Sequence, residues 1–386
     1  MEQAPPIPRV RAFAVILSVI AAALFIALCS VNLTAQGLHY DEVHQAPAAF
    51  AWLGRTPDMF NPLPMGNVPL LNISYSGAIK SHLYGAYLRF VSPHFTVRSW
   101  RMLGIGLAAA GLLIFGLIAG PAMPSGSLIL FLLMIVTDAT VILTSRHDWG
   151  PTALALLLRL VFVGVWVNRE TGDGGIARRN AIMGALVGIT IYEKLSSAVM
   201  LPVLLIVSLI SVRPMSRRDR LASLIGLAAG LLPLLVVNIW SLASGRGLIS
   251  LASVSGHQSG ITAVDAARYA FRWLSLGQGR VVSHWILGSP SSGRMLATFE
   301  ALLLLAMLIG VPVLWRRRRG NPHLRMASVM VACYVAVALG VFLLPRTTGA
   351  HHWILGTPFQ YAAVAFLTAG ITSPSTTGPR GRPASR

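Results

Sequence analysis

Carboxylates are scarce in this chain: 12 Asp and Glu stand against 31 Lys and Arg, and only 11% of the 386 residues are charged. A soluble domain carries about 25% charged residues, so a water-soluble globular fold is excluded. Lysine is almost missing, since every basic side chain except Lys80 and Lys194 is an arginine. The 2 cysteines, Cys29 and Cys333, both lie in apolar runs, which argues against a disulfide framework and against a cysteine metal site. No Gly-rich phosphate loop and no dinucleotide-binding fingerprint occurs, so nothing points to a soluble nucleotide-sugar site. A formal net charge of +19 raises the question of nucleic acid. The arginines, however, cluster in short loops between apolar runs, where they encode membrane topology, and no nucleic-acid partner is expected.

What the chain has in abundance is apolar sequence, 55% by residue type, in runs near the ~20 residues that cross a bilayer. The expected fold is an all-α polytopic membrane protein with about ten transmembrane helices. Ala12 to Leu33 has an apolar core longer than the ~7–15 residues of a signal-peptide core, and reads as a retained first helix with its basic flank inside. Residues 34–101 and 243–294 read as two long outer loops. In the first, Ser76 to Val91 has the spacing of a helix lying on the membrane surface. Further helices are expected from Met102 to Ala119, up to Thr144, from Pro151 to the Arg-rich loop after Asn168, from Leu221 to Leu242, Met295 to Leu314, Met326 to Leu344 and Trp353 to Thr372. Ala181 to Val212 is flanked by basic loops on both sides and interrupted at Tyr192-Glu193-Lys194, so it must turn back there. Its first half spans only about 18 Å at ~1.5 Å per residue, and the turn is expected near the outer leaflet. Residues 1–372 are thus one transmembrane domain, and 373–386 a disordered cytoplasmic tail.

Apolar runs and arginines alone define this topology, yet it puts every histidine but His323 on the outer side. The same side receives both lysines and half of the acids: Asp41, Glu42, Asp58, Asp148, Glu193 and Asp265. Charge near the bilayer is costly and is usually paired or functional. Each group also has a bland reading. Asp41 and Glu42 suit a solvated loop, Asp148 a helix cap three residues before Pro151, Glu193 and Lys194 a paired turn, and His351 and His352 side chains reaching for water. Adjacent histidines without HxxH spacing make a poor metal site, and no metal ligands are assigned. Asp138, inside the third helix, reads as a hydrogen-bonded helix residue.

With Asp41-Glu42 in its first outer loop, the chain resembles the GT-C glycosyltransferases, and more closely the bacterial glycosyltransferase family 39 group, related to protein O-mannosyltransferases and lipid A aminoarabinose transferases. Tyr75 to Lys80, Arg146 to Pro151, Tyr192-Glu193-Lys194 and Gly349 to His352 are similar to elements of that group, so the resemblance runs from residue 40 to 352. It implies a GT-C bundle and a polyprenyl-phosphate sugar as donor, with a lipid, glycan or protein as acceptor. An acceptor hydroxyl would attack the anomeric carbon with inversion. By the resemblance Asp41 is the general base and Glu42 its neighbour or orienter. The leaving phosphate needs cations, with Lys80, Arg146, Lys194, Arg346, His351 and His352 as candidates. Asp148 and Glu193 would orient those cations or bind sugar hydroxyls, and Tyr75, Tyr84 and Trp149 offer flat faces. No cofactor is assigned, and the resemblance leaves a divalent cation open, since some GT-C enzymes use one and others do not. The expected location is a bacterial inner membrane with the site facing the periplasm or exterior. A transporter or lipid flippase would use the same charges as a pathway, but should show an internal repeat and polar groups at mid-membrane; a non-catalytic partner of an envelope-assembly complex would not need Asp41.

Overall fold

The computed structural model describes residues 8–55, 63–65, 67–148, 151–172, 174–252, 264, 290–317, 320–342 and 354–372. The chain is mostly helical. α1 (Pro8–Ser30) is followed by the short α2 (Tyr40–Gln45), a 3-10 helix (Ala46–Leu53) and three strands, β1 (Leu63–Met65), β2 (Val68–Ile73) and β3 (Ser76–Gly77). Then come α3 (Ile79–Phe90), α4 (Val97–Ala119), α5 (Ser125–Thr137), α6 (Ala139–His147), α7 (Thr152–Thr171) and α8 (Ile176–Glu193). A 3-10 turn (Leu195–Met200) leads into α9 (Leu201–Ile210), followed by α10 (Arg217–Ala243), α11 (Ile249–Ala252), α12 (Pro290–Arg317), α13 (Pro322–Phe342) and α14 (Thr357–Thr372).

Each expected helix coincides with a helical element, but the expected count of about ten spans is not met. Among the described residues, 5 helices are long and apolar enough to cross a membrane: Val10–Ser30, Val97–Ala122, Thr152–Thr171, Arg217–Ala243 and Pro322–Val341. A sixth exists if α5 and α6, bent by 54° at a break, count as one span. The shortfall has local causes. α8 carries Arg178, Arg179 and Glu193; α9 has 10 residues and α14 has 16. Asp138 is the cause of the break between α5 and α6, not the mid-helix residue expected. It leaves helical geometry, caps α6 by accepting from Val141 N at 2.8 Å, and accepts a second hydrogen bond from the Tyr361 hydroxyl of α14.

α4 lies between α1 and α7, and α8 packs along α10. The second contact depends on glycine. A methyl group at Gly226 would sit 1.9 Å from Ala181 O, and one at Gly184 1.9 Å from Ser223 O. Gly184 and Gly188 therefore face Gly226 and Gly230 with backbones nearly touching, the close approach small residues permit in membrane helices. The outer face of α10 is exposed apolar surface, with Leu224, Ile225, Leu232 and Ile239, as a lipid-facing helix requires.

One end of the bundle is covered by a cap made of α2, the first 3-10 helix, the strands and α3. The surface helix expected over Ser76 to Val91 is α3, but the antiparallel sheet β1-β2-β3 was not anticipated. Prolines at 64 and 69 hide its alternation, since proline removes a ladder donor. The cap has its own small core of Ala46, Ala49, Tyr84, Leu88 and Trp100.

Candidate functional site

The site lies where this cap meets α4, α7 and α8. α2 starts here because His39 and Glu42 form a capping box: His39 Nδ1 accepts from Asp41 N, and Glu42 Oε2 accepts from His39 N at 2.8 Å. Glu42 is buried, and both its oxygens are used. Arg101, at the start of α4, donates from Nε to Glu42 Oε1 at 2.9 Å and from Nη2 to Oε2 at 2.8 Å. The remaining guanidinium donors reach Leu33 O at 2.6 Å, Gln36 O at 3.0 Å and Gly37 O at 2.6 Å. Arg101 thus ties the chain leaving α1, and the start of α2, to α4. Asp41 is different. Its carboxylate is half-buried and makes no hydrogen bond among the described residues. It lies within electrostatic range of Lys194.

Lys80 of α3 and Asp148, in the turn after α6, form a fully buried ion pair. The Lys80 ammonium also sits 3.8 Å from the centre of the Trp100 ring. Asp148 has a left-handed backbone with φ of 46°. Its Oδ1 accepts from Ala153 N at 3.1 Å, which caps α7, so its pairing and its helix-cap reading hold together. Gln45 Nε2 donates to both Asp41 O and Asp148 O at 3.2 Å, linking α2 to that turn.

The stretches around Tyr75 and Tyr192, distant in sequence, meet directly. Ser76 bridges to Lys194, Leu195 N donates to Tyr75 O at 3.0 Å, and Glu193 Oε2 accepts from Ile79 N at 3.3 Å. The Tyr192 hydroxyl donates to Leu70 O. Gly77 makes this approach possible, since a methyl group there would lie 2.8 Å from Glu193 Oε2 and 2.9 Å from Tyr192 O. Glu193 is fully buried, and its Oε1 has no hydrogen-bond partner among the described residues. It lies within electrostatic range of Asp148 and Lys80.

Asp41, Glu42, Lys80, Asp148, Glu193 and Lys194 are therefore one cluster. Other expected site residues are placed elsewhere. Arg146 donates to Val31 O at 2.7 Å and Asn32 O at 3.3 Å, at the end of α1. Tyr84, expected to offer a flat face, is 1% exposed; its ring packs against Trp100 and Phe95 in the cap core and its hydroxyl bonds Ser99 Oγ at 2.6 Å. Tyr75 keeps an exposed ring. Arg346, His351, His352 and Trp149 lie outside the described residues. No group of His, Cys, Asp and Glu able to hold a metal occurs among the described residues.

Arg101 and Arg159 were not singled out from sequence. Arg101 looked like an ordinary basic flank of a membrane helix. Arg159 had a legible signal, a lone charge two turns inside the apolar run of α7. It is 1% exposed, and all three of its guanidinium nitrogens lack a hydrogen-bond partner among the described residues. Lys194 lies within its electrostatic range. The Glu42–Arg101 and Lys80–Asp148 pairs are closed on themselves, whereas the Asp41 carboxylate, Glu193 Oε1 and the Arg159 guanidinium have no hydrogen-bond partner among the described residues. No protein-family model, curated protein or solved structure matches the chain.

Proposed function

We propose that the chain is an integral-membrane glycosyltransferase of GT-C type that moves a sugar from a polyprenyl-phosphate donor to an acceptor hydroxyl on the extracytoplasmic face of the membrane. The observation that carries this reading is the contrast between two adjacent carboxylates. Glu42 has both oxygens committed to Arg101 and His39, whereas the Asp41 carboxylate is open and sits in reach of a cation. A general base needs a free lone pair beside the proton it takes. In this reading the acceptor oxygen forms its bond to the anomeric carbon as the bond to phosphate breaks. The acceptor proton goes to Asp41, and the lipid phosphate leaves as a dianion on cations, with no acid needed. One displacement inverts the anomeric centre. The donor's isoprenoid lies among the helices, in a bacterial inner membrane, with Asp41 towards the periplasm or exterior.

Glu42 acts at one remove, by holding α2 through Arg101. Lys80 and Asp148 are the buried pair of the cluster, Lys194 lies within electrostatic range of Asp41, and Glu193 within that of Lys80 and Asp148. The test is turnover by the purified protein, offered a panel of labelled polyprenyl-phosphate sugars with an envelope extract as acceptor source. Wild type releases sugar from one donor, and Asp41→Asn lowers the rate roughly a hundredfold to ten-thousandfold while donor binding persists. Turnover that survives Asp41→Asn removes Asp41 from the base role. If folded protein turns over no donor, a transporter or flippase using the same cluster becomes the better reading.

A further inference from the structure

Arg159 presents a problem in charge and hydrogen bonding. Its guanidinium carries five donors in a fixed planar fork and stays charged at any physiological pH. Buried guanidinium groups are ordinarily matched by carboxylates or carbonyls, as Arg101 is here with Glu42, Leu33, Gln36 and Gly37. Arg159 is 1% exposed, and Nε, Nη1 and Nη2 all lack a partner among the described residues. It belongs to none of the ion pairs formed among them. A charge buried without a counterpart is strongly unfavourable unless something else supplies the anion. No membrane requirement explains it either, because an arginine that merely tolerates a bilayer sends its head group to the interface.

Its position gives the missing anion a place. Arg159 lies seven residues into α7, about 10 Å along the helix axis from Thr152, and Thr152 is where Asp148 caps the helix. Lys194 is the group through which Arg159 is electrostatically linked to Asp41 and Asp148. An open carboxylate and a guanidinium with no hydrogen-bond partner among the described residues thus both lie within electrostatic range of one lysine. A guanidinium fork pairs with phosphate, as with carboxylate, through two parallel N–H···O bonds, a geometry that a lysine point charge does not offer.

We infer that Arg159 is the base of a phosphate-binding subsite beneath Asp41, with Lys194 as the second cation. As an anion site it rests on the unmatched guanidinium. As the seat of the donor's leaving phosphate it rests on the transferase reading above. The shared chemistry is a phosphate monoester or inorganic phosphate, and the two sources are separable.

The experiment measures binding of farnesyl phosphate, farnesol and inorganic phosphate to the purified full-length protein in detergent, by calorimetry and by the shift in thermal unfolding midpoint. Wild type is compared with Arg159→Met and Arg159→Gln. Wild type is expected to prefer farnesyl phosphate over farnesol, and both variants to lose roughly tenfold to a hundredfold in affinity for the phosphate while keeping that for farnesol. Without ligand the variants unfold no earlier than wild type, since the guanidinium satisfies no group among the described residues. Arg159→Gln provides the reading should Arg159→Met fail to fold. Inorganic phosphate bound as tightly as farnesyl phosphate, and equally dependent on Arg159, keeps the subsite and assigns it to free phosphate. Unchanged phosphate affinity in both folded variants overturns the inference, as does a ligand-free loss of stability in both, which would give the guanidinium an internal role. The transferase reading fails separately: Arg159-dependent binding without turnover of any donor leaves the subsite standing alone, and turnover with Arg159-independent binding removes only the subsite.

Discussion

Glu42 accepts from two nitrogens of Arg101 and from the backbone of His39, so removing either side of the pair strands a buried charge. Breaking such a pair by deleting one partner costs about 3–5 kcal/mol. Arg101→Met is therefore expected to lower the unfolding midpoint strongly. Arg101→Met combined with Glu42→Gln is expected to lose less than the sum of the single losses, because contacting groups couple. Additive losses in a double-mutant cycle would show that the two side chains do not act as a pair. The same logic separates Asp41 from its neighbour. Its carboxylate holds nothing among the described residues, so Asp41→Asn is expected to shift stability within about ±0.5 kcal/mol, the range of ordinary surface changes, whatever it does to turnover. An early-unfolding Asp41→Asn protein would put Asp41 among the structural acids.

Between elements, the approach of the strands to α8 depends on one missing side chain. A Cβ at Gly77 would come within 3.0 Å of Glu193 Oε2, Tyr192 O and Glu193 Cα, and two of those three atoms are backbone that cannot swing aside. Gly77→Ala is expected to cost about 1–3 kcal/mol, as overpacking does, and to move β3 away from Lys194. Gly106→Ala is the control, since its Cβ would meet nothing within 4 Å and alanine favours the helix by roughly 0.5–1 kcal/mol over glycine. Equal unfolding midpoints for the two variants would contradict the close contact. The opposite end of α7 has a comparable lock, where Arg169 pairs with Glu170 and donates to Arg213 O at 2.9 Å, while Glu170 Oε2 accepts from Arg213 N at 2.8 Å. α7 is thus pinned at both ends, by Asp148 at one and by Glu170 at the other, with the unmatched Arg159 between them.

At the scale of the whole molecule, the polar cluster and the arginine-rich loops lie at opposite ends of the helices. The loops after Thr171 and Ile210, together with the first turns of α8 and α10 that follow them, carry Arg178, Arg179, Arg213, Arg217, Arg218 and Arg220, the pattern expected of segments retained inside. Tyr40 is 68% exposed in the cap, and Arg217 is exposed at the start of α10. A cysteine placed at Tyr40 is expected to react with an impermeant maleimide in intact cells, and one at Arg217 only after the membrane is opened. Background labelling should be low, because Cys29 and Cys333 are both buried. Labelling in the reverse order would invert the topology and place the cluster inside.

From sequence alone, the membrane class, the position of nearly every helix and the grouping of Asp41, Lys80, Asp148, Glu193 and Lys194 were legible. Those properties depend on apolar run length and on the cost of charge in a bilayer, which act residue by residue along the chain. The break at Asp138, the β-sheet of the cap and the burial of Tyr84 were not legible, since each follows from a partner remote in sequence: Tyr361 for Asp138, Lys194 and Tyr192 for the strands, Trp100 and Phe95 for Tyr84. Which carboxylate is open and which cation is unmatched was also decided in three dimensions. Asp41 and Glu42 are equivalent as letters, and they differ because α4 brings Arg101 to only one of them. Arg159 is one arginine among many until the helices pack around it with no acceptor for it among the described residues.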